Sequence, residues 1–332
     1  MRYINYTFLV ASLFVAADCS AHVRWFVEDQ NLKDISFPFD LITLLIAMGG
    51  FLYCLACYLI DRFSARHRLA HLLLQRALFW RGFEWDILKG SIAVMFIGNM
   101  LTDIFVAPNL PLETQAGVVL QAVVVVCLAF SEIIFSLSLL VLTIFVAVVF
   151  GLELSIDYAV EFLAIVICFL IIGADKHGYL DYVRKHYFAQ FSCYCAVTRV
   201  LSIGVGLQLI VLAVHNKFLE PGLGVEFLRE NPSFNFMYLL GLESFTDLHF
   251  VFSAGVAEMC FGLLLVFNIS RRFVALCVLF CFTLTSIILG LHELIGHIPI
   301  LSAMLILVLG ADGKVVRPVI NVYASGSMPS KT

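Results

Sequence analysis

The chain has 332 residues, 62% of them hydrophobic and only 13% charged, with a formal net charge of -4 and a mean hydropathy of +1.00. A soluble domain carries about twice that share of charge, so a water-soluble globule is excluded. No basic stripe is dense enough to hold nucleic acid. The apolar residues come in runs near the roughly 17–25 needed to cross a bilayer. They point to an all-α polytopic membrane protein of about nine transmembrane helices, with the lipid bilayer as its first partner.

In chain order, Met1–Ala21 reads as a secretory signal: Arg2 in the n-region, an apolar Thr7–Ala17, and small residues at Cys19-Ser20-Ala21. Cleavage leaves His22 as the mature N-terminus, and an uncleaved anchor is the alternative. Residues 22–38 then form a periplasmic segment, and 39–89 hold a first span, Phe39–Ile60, followed by the basic, aromatic stretch Arg66–Trp85. That stretch suits either an interfacial helix or a solvated connector. Ser91–Pro108, Gln115–Phe130, Phe135–Leu154 and Tyr158–Ala174 make a first four-helix block within 90–178. Val197–Val214, His249–Ile269, Phe273–Leu291 and Ile298–Leu309 make a second within 190–315, and 316–332 form a tail.

Charge sets the orientation. With His22 outside, the external segments hold only Arg24, Lys33, Lys217 and Arg229, while Arg62–Lys89, Lys176–Arg199, Arg271-Arg272 and the tail lie inside. Retention of Lys and Arg in the cytoplasm favours this arrangement, which predicts a bacterial inner-membrane protein with a periplasmic N-terminus and a cytoplasmic C-terminus. The same bias selects a hairpin around Ser131-Glu132 over one long helix through Gln115–Leu154, because only the hairpin keeps the basic Asp175–Arg199 loop inside.

The two blocks echo each other. Phe150-Gly151-Leu152-Glu153 leads to Ile172-Gly173-Ala174-Asp175-Lys176, as Leu289-Gly290-Leu291-His292 leads to Leu309-Gly310-Ala311-Asp312-Gly313-Lys314. Two tandem four-helix bundles in one orientation would be a parallel repeat. Ser131-Glu132 and Ala257-Glu258 also look alike, but their spacing conflicts with that register.

The second block, about Cys195 to Lys314, resembles the DoxX-like membrane proteins. The matching residues are Arg199, Gly204, Gly206, His215-Asn216-Lys217-Phe218, Ala257-Glu258, Gly262-Leu263-Leu264, Arg271-Arg272 and Gly310. The resemblance implies a four-helix bundle and, through some relatives, quinone-coupled redox chemistry. The insertion Leu219–Leu248 is longer than that family carries.

Of nine His, five fall outside: His22, His215, His249, His292 and His297, one of them at each outer helix end of the second block. Neutral imidazole ligates transition metals, so these five are the candidate metal ligands, for copper or another transition metal; headgroup-facing His is the plain alternative. Glu258 lies inside a span, where a bare carboxylate is costly, and is the candidate catalytic residue. Lys217 and Glu293 are candidate cofactor-binding residues, with quinone the other cofactor considered. Asp103 and the series Glu153, Asp157 and Glu161, the last three on one helical face, form an acidic rim on the first block, suited to cation attraction or simply to a wet helix start. The nine mature Cys, including Cys54-x-x-Cys57, all fall in spans or inside, away from oxidising surroundings.

Two functions remain open at this point. One is a membrane redox protein, or a subunit of a redox complex with a membrane partner. The other is metal or small-solute transport or delivery to a metal carrier, without catalysis.

Overall fold

The computed structural model describes residues 27, 35–64, 83–110, 115–179 and 193–309, apart from the side chains at 115, 239 and 292. The signal segment, the Arg66–Gly82 part of the basic stretch and the C-terminal tail lie outside the described residues. Those described form ten α-helices and no strand. They are α1 (Leu41–Ser64), α2 (Glu84–Leu101), α3 (Gln115–Leu128), α4 (Glu132–Lys176) and α5 (Cys193–Ala213). After a π-helical turn, Val214–Leu219, come α6 (Pro221–Glu230), the short α7 (Phe236–Leu239), α8 (Asp247–Val266), α9 (Arg271–Leu289) and α10 (Leu291–Leu309).

Five of these helices are long and apolar enough to cross a membrane. Their outward faces are apolar too: Leu44, Phe51 and Leu55 on α1, and Leu137, Val141, Ile144 and Val148 on α4, are exposed. A stripe of that size is unfavourable in water and is at home against lipid. The chain is a multi-pass helical membrane protein.

α4 is continuous in sequence but folded in space. A straight helix of its 45 residues would be roughly 67 Å long, yet Lys176 Nζ at its end is 2.5 Å from Glu132 Oε1 at its start. The reversal is at Gly151, whose φ of 82° and ψ of 167° lie where an L side chain is strained. Phe135 and Phe169 then meet edge to face at 5.0 Å across the hairpin. The turn before α4 falls at Ala129–Ser131, with the Ser131 hydroxyl accepting from the Ile133 amide as N-cap.

Gly290 does the same between α9 and α10, at φ 92° and ψ -161°. Because the break is there, the third helix of the second block ends at Leu289, and His292 and His297 both stand on α10, rather than at the ends of two helices. α10 also runs through Pro299 and does not start beside it. A missing N–H inside a membrane helix is tolerated where neighbouring helices pack around it.

One core runs through both halves, joining Phe96 (α2), Phe135 and Phe169 (α4), Leu209 (α5), Phe282 (α9) and Met304 (α10). α4 packs on α5, and α10 packs on α2. α5 and α8 cross closely where a Cβ on Gly206 would meet the Gly262 carbonyl at 2.7 Å and one on Gly262 the Gly206 carbonyl at 2.6 Å, the small-residue contact of membrane helices. α1 lies outermost, against α8.

The two ends of the bundle differ in chemistry. The basic end carries Lys89, Lys176, Arg199 and Arg271, with Lys89 and Lys176 both on the Glu132 carboxylate at 2.6 and 2.5 Å. The glycine end carries Gly151, Gly290 and the π turn, and is covered by a second apolar cluster of Phe227, Leu228, Phe234, Phe250 and Val251 from α6 to α8.

Candidate functional site

The site is built on the π turn. On it His215, Asn216 and Lys217, consecutive in sequence, reach to two sides of α5. π turns of this kind recur at functional positions.

Towards α4, His215 Nδ1 is 3.0 Å from Asp157 Oδ1, and Asn216 Nδ2 donates to Asp157 Oδ2 at 3.3 Å. Asp157 is buried, and so is Gln208 on α5, about two turns before His215. Gln208 Nε2 donates to the Asp157 carbonyl at 2.7 Å, and Gln208 Oε1 accepts from the Glu161 amide at 3.1 Å. Those two backbone groups are the pair an α-helix would bond to each other, so the Gln208 side chain is inserted into the α4 ladder. This fixes α4 against α5 at the height of the site. Around His215, Glu153 of α4 and Glu220, which closes the π turn, complete a group whose ligand atoms all lie within 4.8 Å of one another. Among the described residues no other such group of three His, Cys, Asp or Glu occurs.

The donor set is one imidazole and two carboxylates. An imidazole whose Nδ1 is tied to a buried carboxylate presents Nε2 with fixed tautomer and raised basicity, the usual support of a metal-bound His. Two carboxylates suit divalent ions of hard to borderline character, such as Mn²⁺, Fe²⁺ or Zn²⁺, better than Cu⁺. Glu153 is exposed, so water has access to complete a coordination shell. Glu153 and Asp157 also sit in the first turns after the Gly151 break, where the helix dipole favours carboxylates whatever binds there. It is His215 arriving from α5, and Glu220 from beyond it, that turn an acidic helix start into a ligand set.

Towards α8, Lys217 Nζ is 3.0 Å from Glu258 Oε2, with both side chains buried. Gly255, one turn before Glu258, makes room for the lysine stem: a Cβ there would lie 3.2 Å from Lys217 Cβ. On α10, His297 Nδ1 is 2.9 Å from the Glu293 carbonyl and 3.2 Å from its carboxylate, and both residues are buried.

The remaining candidates are placed as follows. His249 sits in the capping box that opens α8, where its Nδ1 accepts from the Thr246 amide at 3.1 Å, while its Nε2 is 2.8 Å from Asp40 Oδ2 and ties α1 to α8. The His292 backbone opens α10; its side chain, like His22, lies outside the described residues. The structure therefore brings His215 together with Asp157, Glu153 and Glu220, and brings Lys217 together with Glu258. His249 and His297 are each engaged elsewhere. Glu153 and Asp157 were visible in the sequence as an acidic rim. Glu220 carried no such signal: it is a lone acidic residue before Pro221, and only the π turn carries it to His215.

The fold and these side chains define a multi-pass helical membrane protein with a clustered His–carboxylate group at one end. No family model, no curated protein and no solved structure matches the chain.

Proposed function

We propose that this protein binds a divalent transition metal at Glu153, His215 and Glu220 on the outer face of a bacterial inner membrane, and serves in metal uptake or delivery. The observation that carries the reading is His215, held by the buried Asp157 on one side and grouped with two carboxylates on the other.

The membrane arrangement belongs to the same proposal: nine transmembrane helices, α1 followed by two tandem four-helix blocks, α2 to α4 and α5 with α8 to α10. What supports the repeat is the matching backbone at Gly151 and Gly290, each nineteen residues after the start of its helix (132 to 151 and 271 to 290). In that register Glu132 corresponds to Arg271, and the Glu132–Glu258 likeness is left without a structural counterpart. The basic end, with Arg62, Lys89, Lys176, Arg199, Arg271 and Arg272, faces the cytoplasm by the retention of positive charge, which turns the His–carboxylate group outward.

A second reading, a redox protein linked to quinone or metal, follows from the DoxX-like resemblance. The buried Lys217–Glu258 pair within the second block favours it, because a charged pair inside a membrane bundle marks a working site more often than a packing contact.

Proteoliposomes separate the two. Metal handling predicts uptake of Mn²⁺ or Zn²⁺ that is lost in His215→Ala, with no quinone in a lipid extract. A stoichiometric quinone and no metal flux would overturn the metal reading and leave the redox one.

A further inference from the structure

Beside the proposed metal group, and separate from it, lies a set of ionisable side chains with almost no access to solvent. Lys217 is 2% exposed, Glu258 0%, Glu293 0% and His297 1%. They come from the π turn, α8 and α10, and the Lys217 charge is near enough to act on Glu293 as well as on Glu258. Lys217 Nζ meets Glu258 Oε2 at 3.0 Å, and Glu293 Oε1 lies 3.2 Å from His297 Nδ1. Among the described residues, neither carboxylate oxygen of Glu293 has a hydrogen-bond partner.

Charge counting decides what this set must hold. Lys217 supplies one positive charge, and Glu258 at 3.0 Å uses it. Glu293 is a second carboxylate in the same buried region. Among the described residues no further cation is available from the helices packed around it. Arg199 lies at the basic end of α5, Arg271 and Arg272 at the start of α9, and Lys89 in the first turns of α2 with Glu84 and Asp86. On α8, Asp247 is bound to Asn235 and His249 to Asp40. Lys217 is near enough for its charge to act on Glu293, but Glu258 already holds it at 3.0 Å; among the described residues the other titratable group facing Glu293 is His297 on its own helix. An ionised Glu293 beside a neutral His297 would leave one negative charge uncompensated inside a membrane bundle, the arrangement that burial penalises most.

We infer that Glu293 and His297 together form a proton-binding site, holding one exchangeable proton beyond the one on the neutral imidazole. His297 Nδ1 donates to the Glu293 carbonyl at 2.9 Å, which fixes that proton in place. The additional proton resides on the Glu293 carboxyl or on His297 Nε2. Either position makes the four-residue set neutral: Lys217⁺ with Glu258⁻, and then either two neutral groups or Glu293⁻ with an imidazolium. Carboxyl–imidazole pairs inside membrane bundles are the elements through which pumps and carriers relay protons. The inference goes beyond the metal reading and does not depend on it.

The test uses the full-length protein in nanodiscs with excess chelator, so that its outcome is separate from that of the metal site. Infrared spectra across an acid-to-alkaline titration, in H₂O and D₂O, follow protonated carboxyl and imidazolium bands while a pH-stat counts protons. Wild type is expected to show a deuterium-sensitive band of one of these kinds that Glu293→Gln lacks, and to exchange one more proton per chain than that variant. Glu258→Gln frees Lys217 to compensate Glu293, so it is expected to lose the same proton, a result that a packing role for Glu293 would not give. In His297→Gln the proton is confined to Glu293, and the carboxyl band is expected to strengthen. Glu293→Gln is isosteric and removes the excess negative charge; should it fail to fold, the deuterium-sensitive band in wild type and its growth in His297→Gln carry the test. Equal proton counts in wild type and Glu293→Gln, or a wild-type spectrum without either band, would overturn the inference.

Discussion

His215 and Lys217 stand two residues apart on one π-helical turn and reach opposite sides of α5, His215 to Asp157 at 3.0 Å and Lys217 to Glu258 at 3.0 Å. In a regular α-helix two such residues would point about 200° apart, but the wider turn also places the intervening Asn216 on Asp157 at 3.3 Å. The turn thus ties α4 to α8 at the glycine end.

The Lys217–Glu258 pair gives the first prediction. Lys217→Met leaves Glu258 buried without its cation and should cost about 3–5 kcal/mol, while Lys217→Met with Glu258→Met should recover most of that loss, since a buried pair exchanged for apolar groups is close to neutral. Thermal unfolding in detergent measures both. A double variant no more stable than the single one would show that the pair is not an isolated buried couple.

The α5–α8 crossing gives the second. Gly262→Ala places a Cβ 2.6 Å from the Gly206 carbonyl, which is backbone and has little room to yield, so a loss of about 1–3 kcal/mol is expected. Gly49→Ala on α1 meets nothing within 4 Å and should be neutral or gain up to about 1 kcal/mol from helix propensity. Equal effects in the same unfolding assay would mean that the crossing is looser than described.

Gly151→Ala is the third. At φ 82° the new side chain is strained whatever space surrounds it, and a cost of about 1–3 kcal/mol follows. Because the hairpin rather than a local contact depends on it, the Glu132–Lys176 pair should loosen as well, with faster exchange of the Gly173 region as the readout. Unchanged exchange there would mean the reversal does not rely on Gly151.

The fourth concerns pH. The Thr43 amide, donating to Asp40 Oδ1 at 2.8 Å, and then His249 hold the Asp40 carboxyl below its ordinary value of 3.8. A carboxyl lowered by folding contributes stability that is present above its ordinary value and disappears as pH falls through its lower folded value. Asp40→Asn should therefore separate α1 from α8 more easily at neutral pH, and match wild type once the pH is well below 3.8. Crosslinking between α1 and α8 across this range follows it; a difference that persists in acid would mean Asp40 acts without its charge.

The sequence made the bilayer-crossing character and the Ser131 hairpin legible, because hydropathy and the basic residues act over whole segments and survive without tertiary detail. The echo contained Gly151 and Gly290, but both lay inside expected spans, Phe135–Leu154 and Phe273–Leu291, and nothing in it marked them as the reversals. The sequence placed the helix break at Leu154–Tyr158 and a start at Ile298, because apolar length says where a span fits and not where the backbone turns; one φ near +90° at Gly151 or Gly290 decides that. The five outer His looked equivalent by position. What separates them is who reaches them: Asp40 takes His249, Glu293 takes His297, and Glu220, invisible as a ligand in the sequence, joins His215 only because the π turn carries it round.

The central claim, that Glu153, His215 and Glu220 hold a divalent metal, is tested most directly by equilibrium dialysis of the purified full-length protein against Mn²⁺ and Zn²⁺ with elemental analysis. One ion per chain is expected in wild type, no bound ion in His215→Ala, and an affinity lowered about 10–100-fold in Asp157→Asn through the lost support of the imidazole. Metal content that is absent in wild type, or present and unchanged in His215→Ala, would contradict the account.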